Sequence, residues 1–401
     1  MHIVFGIERY WPASGGAEAY VRSIARHLAE RHSVTIVTLV RDDNPLTPIR
    51  RSVRLPYLPV AWDGPVRIVG LRVGNRERLL LAPILLQMLP HQSRRLYDLM
   101  RVCAFEYFAR VLLSQFIDAV GDADVVHTVA PWEMSHLANR AKTKLKIPHI
   151  MTGLLHPGYW ADDSHSAKLF KHCDVIIALL GIEKEAYLRA GVSLNRVRVV
   201  GTPSPASIQA DRVLFHSTFP TGNPIILFLG AKRLYKGYDV LLEAAPYVWR
   251  RIPRATFVFL GPRSKESIAL FSQVLDPRVI ETDKVSDELR DSALAACNVL
   301  CLPSATEIMP NVILEAWTAG KPVVVSNIPT LAELVTGAGL CVPRTPEMIA
   351  DALIQVLENQ NLADRLGAEG MRRAIQEFSV SHIASTLEEI YYECTQQTAV
   401  V

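Results

Sequence analysis

The sequence is short of several familiar signals, and each gap excludes something. Six cysteines, Cys103, Cys173, Cys297, Cys301, Cys341 and Cys394, are scattered over 401 residues without a Cys-x-x-Cys pair. Cys297 and Cys301 have no His or Cys companions at zinc spacing, so a zinc ribbon or dithiol redox motif is excluded and the expectation is buried free thiols in a reducing compartment. No Gly-x-Gly-x-x-Gly follows any predicted strand, which speaks against a nicotinamide-dependent dehydrogenase. The longest apolar run, 79–89, contains Pro83 and Gln87 and falls short of the ~18–20 residues a spanning helix needs. Residues 1–5 pass straight into a strand with neither a basic leader nor a cleavage site, so the expected location is cytoplasmic. A net charge of +3 is too small to argue for a nucleic-acid partner; it fits a small anion or a membrane surface.

What is present reads as two α/β domains. The length suits two domains at roughly 100–200 residues each, and 49% hydrophobic with 21% charged residues is ordinary for a globular chain. Strand-like runs at 2–6, 33–40, 124–129, 149–154, 173–179 and 196–201 alternate with helical periodicity at 17–30 and 181–190, which calls for a parallel sheet with right-handed crossovers. Residues 201–224 hold four prolines among Ser, Thr and Gly and read as a linker. The alternation then restarts, with strands at 224–229, 255–260, 298–302 and 322–326, helices at 238–250, 287–296 and 310–319, and further helices from about 346 onward. The expected fold is α/β, two Rossmann-like doubly wound parallel-sheet domains facing a central cleft, with domains at 1–205 and 206–378.

Residues 41–75 are rich in Pro and Arg and give no clear assignment. Residues 76–120 read as helical, interrupted near Pro90, with Arg76, Arg78, Arg94, Arg95, Arg101 and Arg110 among Leu, Tyr and Phe. Two readings stay open: a packed helix pair with a solvated basic face, or a peripheral contact with the inner membrane face that serves a lipid-linked acceptor.

Chemistry concentrates in three loops and a histidine. The run Glu307-Ile308-Met309-Pro310-Asn311-Val312-Ile313-Leu314-Glu315 follows a predicted strand. Pro310 suits the first position of a helix. The amides of Asn311, Val312 and Ile313 would then form an anion site at the positive end of the helix. Glu307 and Glu315 are placed to hold two separate polyol groups; they equally suit a dipole-complementing and a surface carboxylate. The run Gly230-Ala231-Lys232-Arg233-Leu234-Tyr235-Lys236-Gly237 gives a basic loop able to neutralise a diphosphate and the charge that builds as it leaves. Gly15-Gly16, after the first strand, allow close backbone approach to a ligand or simply a tight turn. His156 ends the strand at 149–154.

This pattern resembles the retaining GT-B glycosyltransferases of family four, the group 1 glycosyltransferases. Glu307 and Glu315 match their Glu-x7-Glu pair, inside Pro303-Ser304-x-x-Glu307-x-x-Pro310-Asn311-Val312-x-Leu314-Glu315-Ala316. The resemblance covers nearly the whole C-terminal half and, more loosely, residues 1–40 and 124–201, and what places a helix at 379–401 crossing back to the first domain is this resemblance. It implies that Glu307 holds the donor sugar, Glu315 the ribose and Lys236 the diphosphate, with His156 beside the reacting centre. It places main chain near Val285 against the nucleobase and Gly16 at the diphosphate, and sets Gly15 and His127 on the acceptor side. Tyr159 and Trp160 flank His156 as further acceptor contacts. Ala231 departs from the pattern, which has Arg there; Lys232 or Arg233 could substitute. No Asp-x-Asp lies in a suitable loop, so no metal or other cofactor is expected. The implied reaction transfers a sugar from a nucleotide diphosphate donor, UDP-linked first and GDP-linked next, to a glycan or lipid-linked acceptor with retention. A catalytically silent homologue that binds a partner, or another GT-B enzyme such as an epimerase, is the alternative.

Overall fold

A computed structural model describes residues 1–13, 15–40, 60–71, 94–208 and 211–399. The chain divides into two compact units, Met1–Val200 with Ile383–Val401, and Gly201–His382. The linker composition and the family resemblance place these boundaries at 205/206 and 378/379.

The first unit begins with β1 (His2–Arg9), α1 (Gly16–Leu28) and β2 (Ser33–Val40). A hairpin follows, β3 (Ala61–Asp63) and β4 (Val66–Gly70), then the long α2 (Arg94–Val120). The rest is β5 (Val125–Val129), α3 (Glu133–Leu145), β6 (His149–Thr152), α4 (Ser164–His172), β7 (Val175–Ala178), α5 (Gly181–Arg189) and β8 (Val197–Val199). These strands form one sheet in the order β3-β4-β2-β1-β5-β6-β7-β8. It is parallel except for β3, which runs antiparallel to β4. Phe5 on β1 lies level with Ile36 on β2 and His127 on β5.

Periodicity explains the helices. On α1, Tyr20, Val21, Ile24, Ala25 and Leu28 are buried, a single stripe at helical spacing. Phe105, Phe108, Leu112, Phe116 and Val120 are buried likewise on α2, the last four in one cluster with Met134, Leu137 and Ala141 of α3. The described part of the basic region therefore turns its apolar face into the core, and Arg110 lies on its exposed side. Arg76 and Arg78 lie outside the described residues, as do the side chains of Arg94, Arg95 and Arg101. Among the described residues no helix is long and apolar enough to cross a membrane.

The second unit holds α6 (Arg212–Thr218), β9 (Ile225–Leu229), α7 (Tyr238–Arg251), β10 (Thr256–Leu260), α8 (Lys265–Phe271) and β11 (Val279–Thr282). It continues with α9 (Asp287–Ala296), β12 (Val299–Leu302), α10 (Asn311–Thr318), β13 (Val323–Ser326), α11 (Pro329–Val335), β14 (Leu340–Val342), α12 (Pro346–Glu358), α13 (Gln360–Gln376) and the start of α14 (Val380–Ala399). Its sheet is parallel throughout, in the order β11-β10-β9-β12-β13-β14. Strands β9, β10, β12 and β13 are buried at every position, which is why they read as unbroken apolar runs. The stretch expected to be linker contains α6, because Asp211 accepts from the Val213 and Leu214 amides as its cap and Phe215 is fully buried.

Apart from the β3–β4 hairpin, the strand order of each sheet reverses once, between β1 and β5 and between β9 and β12. In doubly wound sheets ligands bind at the carboxyl ends of the strands flanking that reversal.

Candidate functional site

In the second unit the reversal is flanked by the loop 230–237 after β9 and the loop 303–310 after β12. Lys236 and Glu307 project from these loops and form an ion pair. Ser304 Oγ donates to the same Glu307 oxygen at 2.9 Å, and Thr330 Oγ1 fixes the Glu307 carbonyl at 2.7 Å. The Ala305 amide donates to the Tyr235 carbonyl at 2.6 Å. Arg344 donates from Nε to the Pro303 carbonyl at 2.8 Å and from Nη2 to the Leu234 carbonyl at 3.0 Å, tying the two loops together. Gly237 makes the approach possible: its φ is +78°, and a Cβ there would overlap the Pro303 carbonyl. Glu307 is 8% and Lys236 20% exposed at the side chain, so the pair is shielded yet reachable.

Helix α10 begins at Asn311, with Pro310 one position outside it rather than as its first residue. The Ile313 amide donates to the Pro310 carbonyl at 3.1 Å. This corrects the expectation of three available amides: helix geometry leaves those of Asn311 and Val312, both half-buried, for a ligand. Glu315 lies one turn on, roughly 6 Å along the axis from Asn311. Burial raises its pKa, opposed by Arg290, while Asp291 and Asp287 raise it further. On the far side of α10, Gly370 of α13 faces Trp317, and a Cβ there would overlap the indole, so the glycine sets how closely the two helices pack.

The choice between Lys232 and Arg233 separates cleanly. Lys232 is fully buried, with Nζ donating to the Thr282 carbonyl at 2.6 Å, to the Gly261 carbonyl, and pairing with Glu281 at 2.9 Å. Burial lowers the Lys232 pKa against the pull of Glu281. Burial tends to raise Glu281, but Arg263 and Lys232 hold it below its ordinary value. Lys232 is thus committed to joining the ends of β9, β10 and β11. Arg233 is exposed at the start of the 3-10 turn Leu234–Lys236. Val285, half-buried, directly precedes Ser286, whose hydroxyl caps α9 through the Leu289 amide at 3.2 Å.

In the first unit, Gly15 and Gly16 are exposed at the start of α1, and a Cβ on Gly15 would overlap the Glu18 carboxylate. That carboxylate pairs with Arg9 at 2.5 Å. His156, half-buried in the loop after β6, contacts the Leu154 carbonyl through Nδ1 at 3.3 Å. His127 is not an acceptor contact. It is fully buried, with Nδ1 2.6 Å from the Tyr391 hydroxyl and Nε2 2.8 Å from Thr152 Oγ1, and burial pushes its pKa down to about 3. Both ring nitrogens are occupied, and the imidazole is a neutral core group.

Sequence reading passed over two buried carboxyls beside this reversal. Glu8, next to last in β1, accepts the Met134 amide at 3.2 Å, and Glu133 opens α3. Burial and the neighbouring Glu133 push Glu8 well up, and burial raises Glu133 to about 7. A glutamate inside the apolar run of β1 was the available signal. Ser304 gives no sign in the sequence of its hydrogen bond to Glu307.

Residues 210–373 match the family profile for glycosyl transferases group 1, and residues 15–203 that for a glycosyl transferase 4-like domain. The chain belongs to the group 1 glycosyltransferases. Among relatives of this family, alpha-D-kanosaminyltransferase of Streptomyces kanamyceticus is 30% identical over 177 residues, 42% of this chain and 46% of that protein. D-inositol 3-phosphate glycosyltransferase of Xylanimonas cellulosilytica is 25% identical over 415 aligned positions, 96% of this chain and 93% of that protein. The first of these matches spans about half the length of the relative. HepE of Anabaena, solved in complex with UDP-glucose, superposes with a TM-score of 0.71 at 17% identity, covering 98% of this chain and all of that one. The two parallel-sheet α/β units are those of the GT-B fold of this group 1 family.

Proposed function

We propose that the chain is a retaining glycosyltransferase that moves a sugar from a nucleoside diphosphate sugar, UDP-linked by preference, to a hydroxyl of a glycan or lipid-linked acceptor. The observation that carries this is the Lys236–Glu307 pair at the strand-order reversal of the second unit. Neighbouring opposite charges suit a ligand that is anionic at one end and hydroxyl-rich at the other. On binding, the diphosphate takes Lys236, Arg233 and the Asn311 and Val312 amides, while the sugar hydroxyls take Glu307 and Glu315 holds the ribose. HepE with UDP-glucose supports a UDP donor.

In the transfer step the bond from the anomeric carbon to the diphosphate breaks, and the acceptor oxygen bonds to the same face. The acceptor proton passes to the departing phosphate oxygen. Lys236, Arg233 and the helix amides stabilise the negative charge that grows there, so no bound metal is required by this reading. The test is thermal unfolding with UDP-, GDP-, ADP- and dTDP-sugars in EDTA. A selective rise in Tm identifies donor base and sugar together. A rise that appears only with added divalent metal overturns the metal-free phosphate site.

A further inference from the structure

In the first unit, aromatic rings collect where β5 and β6 end. Trp132 follows β5 and is 37% exposed. Trp160 meets it edge to face, with ring centres 5.2 Å apart and planes at 79°. His156 stands edge-on to Trp160 at 5.7 Å and 85°. Tyr159, between them in sequence, is 67% exposed.

The loop carrying these rings is held firmly. The His156 amide donates to the Trp160 carbonyl at 2.9 Å and the Tyr159 amide to the His156 carbonyl at 2.9 Å. Asp162 accepts the Gly158 amide at 2.7 Å. Leu154 and Ala161 have φ of +52° and +62°, left-handed values that non-glycine residues keep only where the surroundings impose them, commonly at ligand sites.

Two perpendicular aromatic rings at the ligand edge of a sheet suit a ring with an apolar C–H face and a hydroxyl rim. Charge narrows the choice. Residues 154–163 contain Asp162 and Asp163 and neither Lys nor Arg, and an aromatic face is itself electron-rich, so an anionic group is disfavoured here. We propose that Trp132 and Trp160 form an acceptor subsite that takes the C–H face of an uncharged pyranose, so that the acceptor is a neutral sugar residue rather than a phosphorylated headgroup. This rests on the transferase reading above.

The test is saturation-transfer NMR on the full chain with UDP present, using methyl α-D-glucopyranoside, methyl α-D-mannopyranoside, glucose 6-phosphate and sorbitol at millimolar concentration. Transfer to the ring C–H protons of a methyl glycoside is expected, with none to sorbitol. Trp132→Ala and Trp160→Ala should each weaken it roughly tenfold, the scale of one aromatic contact, and Trp132→Phe should retain it. The UDP-induced rise in Tm should be unchanged in all three variants, which shows that they are folded and keep the donor site. Transfer that survives both alanine variants, absence of transfer with either glycoside, or tighter binding of glucose 6-phosphate overturns the subsite. Failure of UDP to stabilise the wild type overturns the donor reading instead, while the glycoside comparison still decides the subsite.

Discussion

The two strand-order reversals are built from opposite materials. In the second unit the loops after β9 and β12 present charge: Lys236 paired with Glu307, and Arg233 exposed beside them. In the first unit burial pushes three ionisable groups beside β1 and β5 toward their uncharged forms, while Arg9 at the end of β1 keeps its ion pair with Glu18. His127 is held near 3, and Glu8 and Glu133 are raised. The same topology thus yields one edge suited to an anion and another suited to a neutral, hydroxyl-bearing molecule. The difference lies in which side chains the loops carry rather than in the sheets.

The comparison can be broken or sharpened by substitution. The largest effect is expected at the charged edge. Glu307→Ala and Lys236→Ala should each cost about 3–4 kcal/mol of transition-state stabilisation, read as kcat/KM for sugar transfer. Wild-type rates in either would remove that edge from the chemistry.

Next comes Lys232→Ala, which should destabilise the second unit by about 3 kcal/mol in urea unfolding. That is the lower end for breaking a buried ion pair, because Arg263 still holds Glu281 at 2.7 Å. An unchanged midpoint would mean that Lys232 is not the tie it resembles.

At the neutral edge, Glu133→Gln should change the pH dependence of stability. The folded pKa of Glu133 is raised from 4.5 to about 7, so its contribution is full below 4.5 and is lost as pH rises to 7. The variant should gain on wild type across that window by up to about 3 kcal/mol, measured by unfolding at pH 5 and pH 8. A constant difference would show that Glu133 is ionised in the fold. His127 works in the reverse sense: its pKa is depressed, so the stability it contributes is lost as pH falls from 6.5 to about 3.

The smallest effect is expected for Arg233→Ala, about 1 kcal/mol in donor affinity with no change in Tm, since the side chain is exposed.

Legibility in the sequence followed burial. Strands β9, β10, β12 and β13 are covered on both faces and stand out as apolar runs. The half-buried edge strands β11 and β14 carry no such run and went unassigned. The hairpin β3–β4 lies in the Pro- and Arg-rich stretch, where its turn at Gly64, φ +62°, did not stand out from its neighbours. Glu307 and Glu315 stand out because one loop and one helix fix their spacing, and Lys236 because it lies in a Gly-flanked basic loop; the Lys236–Glu307 pairing, across 71 positions, does not show in the sequence. The role of Lys232 does not show either, because its partners Gly261, Glu281 and Thr282 lie on other strands. His127 was misassigned for a similar reason: a polar residue within a strand looks the same whether it serves a ligand or the core, and Tyr391 is 264 positions away.

That distance bears on how the molecule is made. The sheet of the first unit is synthesised by Val200, yet its compact unit also requires Ile383–Val401, the greater part of α14. Besides the Tyr391 contact, His32 Nε2 waits for Glu388, 2.6 Å away in the finished fold. A growing chain therefore carries the sheet of its first unit without α14 until the second unit, Gly201–His382, has been translated. The unit whose sheet is translated first closes only after the whole of Gly201–His382 has been made, because Glu388 and Tyr391 follow it in the chain.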